Sequence, residues 1–152
     1  PDLVIVGGHS WKSAALQERI ARTPTIRWLK GVTDADLGPI YRGARFTVTP
    51  SLAEGWGSPV QESIAQGVPC IASSGGALRE SGHGLAVHFD PARPATLVAA
   101  LRAWIADPAE PDRQRARIQA ARRAERFPTW RDTAAAVRDL AVARAGSAAP
   151  PA

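Results

Sequence analysis

The stretch Phe46-Thr47-Val48-Thr49-Pro50, then Ser51-Leu52-Ala53-Glu54-Gly55-Trp56-Gly57, then Ser58-Pro59-Val60-Gln61-Glu62-Ser63-Ile64-Ala65, closing after Gln66-Gly67 with Val68-Pro69-Cys70-Ile71-Ala72, decides how the chain folds. Its opening is a short β-rich run stopped by Pro50, its middle reads as a helix over Ser58 to Ala65, and its end is a second short apolar run. The helix start carries three signals. Ser58 is expected at the N-cap, Pro59 fits the first helical position, and Gln61 stands where it would complete a capping box with Ser58.

The same alternation extends in both directions. Upstream, Leu3-Val4-Ile5-Val6 is a strand ending at Gly7-Gly8, followed by a helix from Trp11 to Ala21. Ile26 to Leu29 is the next strand, ending at Gly31, and Thr33-Asp34-Ala35-Asp36 opens a capped helix through Leu37, Ile40 and Tyr41. Downstream, Gly75 to Ser81 reads as a turn or short helix and Leu85 to Phe89 as a last strand. Five short strands separated by helices predict an α/β fold, a Rossmann-like parallel sheet with helices on both faces. After Asp90-Pro91 the pattern is all helical, over Pro94 to Ala106, Pro111 to Glu125 and onward from Thr129-Trp130. Residues 1–145 read as one domain, and 146–152 as a flexible C-terminal tail.

With 152 residues, 45% hydrophobic and 22% charged, the composition excludes a disordered tail or a fibrous repeat and suffices for a single core. Cys70 is the sole cysteine, so neither an internal disulfide nor a cysteine zinc site is available. No apolar run approaches the roughly 20 residues of a membrane-spanning helix, and the expected location is cytoplasmic. The sequence contains neither Asn nor Met and opens on Pro1, so a piece of a larger protein is expected. The net charge of +5 raises the question of nucleic acid. Residues 1–90 balance 8 Lys/Arg against 8 Asp/Glu, and the excess lies in the Arg- and Ala-rich part around Arg113, Arg115, Arg117, Arg122, Arg123 and Arg126. No aromatic residues interleave there as a single-strand platform requires, so a solvated helix surface is the reading and nucleic acid is not an expected partner.

Chemistry concentrates between Pro50 and Glu62, which begins at the carboxyl end of a strand, where ligands bind in an open parallel sheet. A helix N-terminus presents unpaired amides and partial positive charge, which suit a phosphate. Gly55 and Gly57 flank Trp56 and let a ligand approach the main chain. Glu54 and Glu62, eight positions apart on either side of this loop, would each grip a diol, because a carboxylate accepts two hydroxyl hydrogen bonds at once.

The segment Glu54-Gly-Trp-Gly-Ser-Pro-Val-Gln-Glu62 and its continuation to Ser73 resemble the E-x7-E signature of the group 1 glycosyltransferases, retaining enzymes of the GT-B fold that use nucleotide sugars. The resemblance extends back through Pro50-Ser51, Leu29-Lys30-Gly31-Val32 and Leu3 to Gly8. It runs forward through Gly75-Gly76-Ala77-Leu78-Arg79-Glu80, Gly84 to Val87 and Phe127-Pro128-Thr129-Trp130. It implies the C-terminal, donor-binding half of a GT-B enzyme. By this resemblance Glu54 contacts the donor sugar as the catalytic acid residue, and Glu62 grips the ribose. Amides of Gly55, Trp56 and Gly57 bind sugar hydroxyls, those near Pro59 and Val60 approach the diphosphate, and Ser58 is a further donor-binding position. Lys30, Gly31 and Val32 border the nucleobase, and Gly7 and Gly8 border the cleft.

Departures are Ser58 where the family has Leu or Ile, Ser63 for Ala, and Cys70 for Val. The family's Arg/Lys pair for the diphosphate and its acceptor-binding domain lie upstream of the segment present here, and Lys12 does not match that pair. The implied function is transfer of a hexose with retention from a nucleoside-diphosphate sugar to a glycan or lipid-linked acceptor, with this fragment alone expected to be inactive. The partners implied are the nucleotide sugar, the protein's own N-terminal domain and, left open, a membrane surface. No metal and no cofactor are expected, since no Asp cluster is present to hold a metal. The alternatives are a GT-B sugar-nucleotide epimerase and a non-catalytic nucleotide-sugar-binding domain.

Simpler readings apply elsewhere. No G-x-G-x-x-G follows the first strand, which argues against a dinucleotide site. Cys70 reads as a buried small residue. His9 and His83 are solvated or border the cleft, Trp11, Trp28, Trp104 and Trp130 read as core, and Glu80 is placed to cap or orient the neighbouring loop.

Overall fold

The computed structural model describes residues 2–8, 13–124, 127 and 129–147. Contacts cluster into two compact units, Pro1–Ile118 and Gln119–Ala152. The sequence reading places no boundary before residue 145. The helix that contains the boundary gives no breaker there, so nothing in composition marks it.

In the first unit, β1 (Leu3–Val6), α1 (Ala14–Ala21), β2 (Ile26–Leu29), α2 (Asp34–Gly43), β3 (Thr47–Thr49), α3 (Ser58–Ala65), β4 (Cys70–Ser73), α4 (Leu78–Ser81), β5 (Val87–Phe89) and α5 (Pro94–Ala106) follow in order. All pairings are parallel. β1 runs beside β2 with Leu3 opposite Ile26, and β4 lies between β3 and β5 with Ile71 opposite Val48 and Val87. The fold is α/β and Rossmann-like, as the alternation predicts. The strands nevertheless form two ladders, β1-β2 and β3-β4-β5, and among the described residues none joins β1 to β3. Periodicity identifies an extended segment but does not select the edge it pairs with.

β4 shows why helices cover both faces. Successive residues of a strand point to opposite sides. Cys70 and Ala72 pack with Val60 of α3 and Leu78 of α4. Ile71, between them, meets Phe89 and Trp104, joined by Phe46, Leu97, Ala100 and Leu101 from the α5 side. Phe46 and Trp104 meet edge to face at 5.1 Å. With both faces covered, all four residues of β4 are buried, the condition under which a strand reads as an unbroken apolar run. The strand starts at Cys70 rather than Val68 because Pro69 has no N–H to offer the ladder. Its carbonyl still accepts from the Thr47 amide at 2.9 Å.

Arg115 ties helix α6 (Ala109–Arg123) to this layer, donating to the carbonyls of Gly67 at 3.1 Å and Arg45 at 3.0 Å. Helix α6 starts two residues before Pro111, because the Asp107 carboxylate accepts from the Ala109 amide at 2.9 Å.

In the second unit, α7 (Trp130–Ser147) opens with Asp132 accepting from the Thr129 amide at 2.7 Å. It continues through Gly146 and Ser147, into the segment expected as tail; residues 148–152 lie outside the described set. Trp130 is 90% exposed, against the expectation of a core residue. The sequence pattern that suggested burial reports size and apolarity, not a covering partner. No helix among the described residues is long and apolar enough to cross a membrane.

Candidate functional site

The loop between β3 and α3 is built on close backbone approach. A Cβ at Gly75 would stand 2.0 Å from the Leu52 carbonyl oxygen, and one at Gly76 would stand 2.8 Å from that of Glu54. Only glycine lets the segment after β4 lie against residues 52–54. The Ala77 amide donates to the Glu54 carbonyl at 3.4 Å, and the Ser73 hydroxyl donates to that of Ser51. The Glu54 carboxylate is oriented in turn by the Ser51 hydroxyl, which donates to Oε1 at 2.7 Å. Glu54 is half-buried. Glu80, expected to orient this loop, lies exposed on α4 with no side-chain partner among the described residues; the backbone and serines hold the loop instead.

Helix α3 begins differently from the sequence reading. Its N-cap is Gly57, in the left-handed region at φ 80°, and Ser58 is the first helical residue. The Cβ of any other residue at 57 would meet the Ser81 hydroxyl at 2.7 Å and Leu78 at 2.8 Å. No capping box forms. Gln61 instead accepts from the Trp56 indole N–H at 2.7 Å, which fixes the exposed Trp56 over the first turn. The sequence signal failed because a serine and a glutamine three apart also fit positions one and four of a helix capped by glycine.

The amides of Gly55, Trp56, Gly57 and Ser58 donate to no protein acceptor among the described residues. They form the opening of α3, where the helix dipole adds positive character. Val60 differs: its amide donates to the Gly57 carbonyl at 3.0 Å and its side chain is buried against β4. Pro59 has no N–H. Of these positions at the helix start, Gly57 and Ser58 keep their amides open to an anion, whereas Pro59 and Val60 offer none.

Glu62 is exposed one turn into α3. Its Oε2 accepts from the phenol of Tyr41 on α2 at 2.8 Å, a partner that the sequence reading counted only as an apolar helix position. Burial first, and the Glu62 carboxylate second, push the Tyr41 phenol well above its ordinary range, so it remains a donor. Beside this pair Arg42 donates to Gln66 at 2.7 Å. No sequence signal names Tyr41 or Ser51 as partners, because their distances to the two acids are set by packing.

The remaining candidates lie on the β1-β2 side. Gly7, at φ 140°, follows β1, and its carbonyl accepts from the Trp28 indole at 2.8 Å. Gly8 is exposed and nothing stands within 4 Å of where its Cβ would be. Lys30 places its ammonium 4.3 Å from the Trp28 ring, Gly31 turns at φ 67°, and Val32 is half-buried just before the α2 cap. There the Thr33 amide and hydroxyl both donate to Asp36, at 3.0 and 2.6 Å, forming the expected cap. No hydrogen bond among the described residues joins Gly7 or Gly8 to the 54–58 loop. Helix α2 follows the Lys30–Val32 segment directly, with Thr33 as its cap, and reaches Glu62 through Tyr41. His83 is exposed in the turn after α4, Cys70 is buried, and His9, Trp11 and Lys12 lie outside the described residues.

Two carboxylates held by hydroxyl donors thus flank a run of free amides at a helix start. Such an arrangement belongs to a class of proteins that bind anionic, hydroxyl-rich ligands at the carboxyl edge of a parallel sheet. The family model "Glycosyl transferases group 1" matches residues 1–107, and the chain belongs to that family. Over 75 residues it is 39% identical to the O-antigen chain mannosyltransferase B of Escherichia coli, spanning 47% of this chain and 20% of that protein. Over 109 residues it is 28% identical to the serotype-specific mannosyltransferase WbdA of Escherichia coli, spanning 69% of this chain and 13% of that one. The chain therefore matches a fifth or less of the length of these curated relatives. Among solved structures, Anabaena Alr3699/HepE in complex with UDP-glucose is similar at a TM-score of 0.73 and 17% identity, covering 93% of this chain and 41% of that one. The complex of the same protein with UDP is similar at a TM-score of 0.74.

Proposed function

We propose that this chain is the donor-binding half of a retaining GT-B hexosyltransferase, with Glu54 and Glu62 as the two acids of an E-x7-E motif. The observation that carries the reading is the set of free amides at Gly55 to Ser58 set between the two oriented carboxylates. On this reading the amides of Gly57 and Ser58 hold the diphosphate, and those of Gly55 and Trp56 meet hydroxyls of the sugar. Glu54 orients the hexose and Glu62 the ribose, while Lys30 to Val32 border the base. The bond from the anomeric carbon to the diphosphate breaks with its electron pair leaving on phosphate oxygen, where the amides stabilise the growing charge. The acceptor hydroxyl oxygen then bonds to that carbon on the face the diphosphate left, and its proton passes to the departing diphosphate oxygen. The two named relatives are mannosyltransferases, so mannose is the first hexose to test. The acceptor is held by a further domain of the full-length protein, which works at the cytoplasmic side of a membrane or in the cytoplasm.

The test is ligand-observed NMR with UDP, GDP, ADP and their hexose conjugates on the full-length protein, beside Glu62→Ala and Glu54→Ala. One nucleotide should bind, more weakly in Glu62→Ala, and a gain from the attached sugar should shrink in Glu54→Ala. Silence toward all of these ligands overturns the reading.

A further inference from the structure

We infer that Tyr41 is a positioning residue that sets the preference of this site for a ribonucleotide over its 2′-deoxy counterpart, by fixing one oxygen of Glu62 and leaving the other to the ribose diol. The inference rests on the donor-site reading above and extends it to a residue outside the motif.

Glu62 lies on the exposed side of α3, and its only side-chain hydrogen bond among the described residues is the one from Tyr41. An exposed glutamate otherwise samples many rotamers, and a carboxylate must be held in one of them before it accepts two neighbouring hydroxyls. Tyr41 supplies that restraint. Its hydroxyl has a single proton and two acceptors in reach, Glu62 Oε2 at 2.8 Å and the Pro59 carbonyl at 3.4 Å. The nearer, charged oxygen accepts the hydroxyl's one hydrogen bond, so Oε2 is occupied and Oε1 keeps its lone pairs free. The phenol stays protonated because half-burial and the adjacent carboxylate both oppose its ionisation.

Open space lies beside this pair, lined by none of residues 54–58. Tyr41 and Glu62 line one open groove of about 540 Å³ between α2 and α3, which also takes in Asp34, Leu37 and Gly38. Tyr41 is not needed to hold the two helices together, since the bond from Arg42 to Gln66 at 2.7 Å joins them one turn further on. Loss of the hydroxyl alone therefore frees the carboxylate without parting the helices.

The experiment compares wild type, Tyr41→Phe, Glu62→Gln and the double variant in the full-length protein. Dissociation constants are measured for UDP, GDP and ADP and for the 2′-deoxy form of whichever binds, with a melting curve for each variant. Wild type should favour the ribonucleotide. Tyr41→Phe should weaken ribonucleotide binding by about 3–10-fold, the range of one ordinary net hydrogen bond at an exposed site, while the 2′-deoxy form changes by less than about twofold. In the Glu62→Gln background the Tyr41 change should add nothing. Equal losses for both nucleotides, or a Tyr41→Phe variant with an unchanged preference, overturn the inference and leave the donor site standing. A wild type that binds no nucleotide, or a Glu62→Gln variant that binds as wild type does, overturns the donor-site reading itself and this inference with it.

Discussion

Replacing Gly75 by alanine tests the backbone packing on which Glu54 depends. The added Cβ would stand 2.0 Å from the Leu52 carbonyl oxygen and 3.0 Å from its carbon, both main-chain atoms that no rotamer change relieves. Restoring an ordinary contact moves the Leu52 peptide back by roughly 1.4 Å, two residues before Glu54. Overpacking of this kind costs about 1–3 kcal/mol, against which the stiffer unfolded chain returns about 0.4–1 kcal/mol. The net expectation is a loss of about 1–2 kcal/mol, read as a melting temperature lower by about 2–8 °C for a chain of this length. Calorimetry or urea unfolding measures it. Nucleotide-sugar affinity should fall more than nucleotide affinity, because the displaced loop carries the sugar-side acid. Gly55→Ala is the control: nothing stands within 4 Å of its Cβ, so its stability should match wild type within about 0.5 kcal/mol. A Gly75→Ala protein as stable as the Gly55 variant refutes the close approach and the account of how Glu54 is held.

Two further outcomes follow from burial and charge. Trp104→Ala should cost about 3–5 kcal/mol in urea unfolding, because the ring is buried against Phe46, Ile71 and Phe89, while Trp130→Ala, at 90% exposure, should cost under about 0.5 kcal/mol. Asp36 is held below its ordinary value of 3.8 by the hydroxyl and amide of Thr33. A carboxyl lowered in the folded state stabilises above its unfolded value and loses that contribution as pH falls through the lower folded value, so the melting temperature should decline below about pH 4. Asp36→Asn should flatten part of that decline, and an unaltered slope in the variant would contradict the cap.

Much of the fold is legible because burial on two faces writes itself into composition. β4 is read from Val68 to Ala72 as an apolar run, and Pro69 explains the two-residue offset. The helices are read from their caps: Thr33 with Asp36 holds as expected, since both partners lie within one turn. Ser58 with Gln61 does not hold, since Gly57 takes the cap and Trp56 takes Gln61. A local pattern decides a helix end only when no tertiary contact competes for the same side chain. The candidate acids are legible by type and spacing alone. Tyr41 as a partner is not, and neither is the requirement for glycine at 75, because these depend on distances between segments; Ser51, although local, lies in a loop that no helical or strand period describes.

The sequence by itself determines the alternation of strand and helix, the family, and the two acids that flank a glycine-bearing loop, because each is carried by residues close together in the chain. Only the tertiary structure decides which strands pair, which amides remain free at the start of α3, and which hydroxyls orient the acids. Those are properties of approach between segments distant along the chain, such as Tyr41 to Glu62 and Gly75 to Leu52. Hydrogen bonds and backbone contacts form or fail over a few tenths of an ångström, a precision set by the packed core and not by the order of residues along the chain.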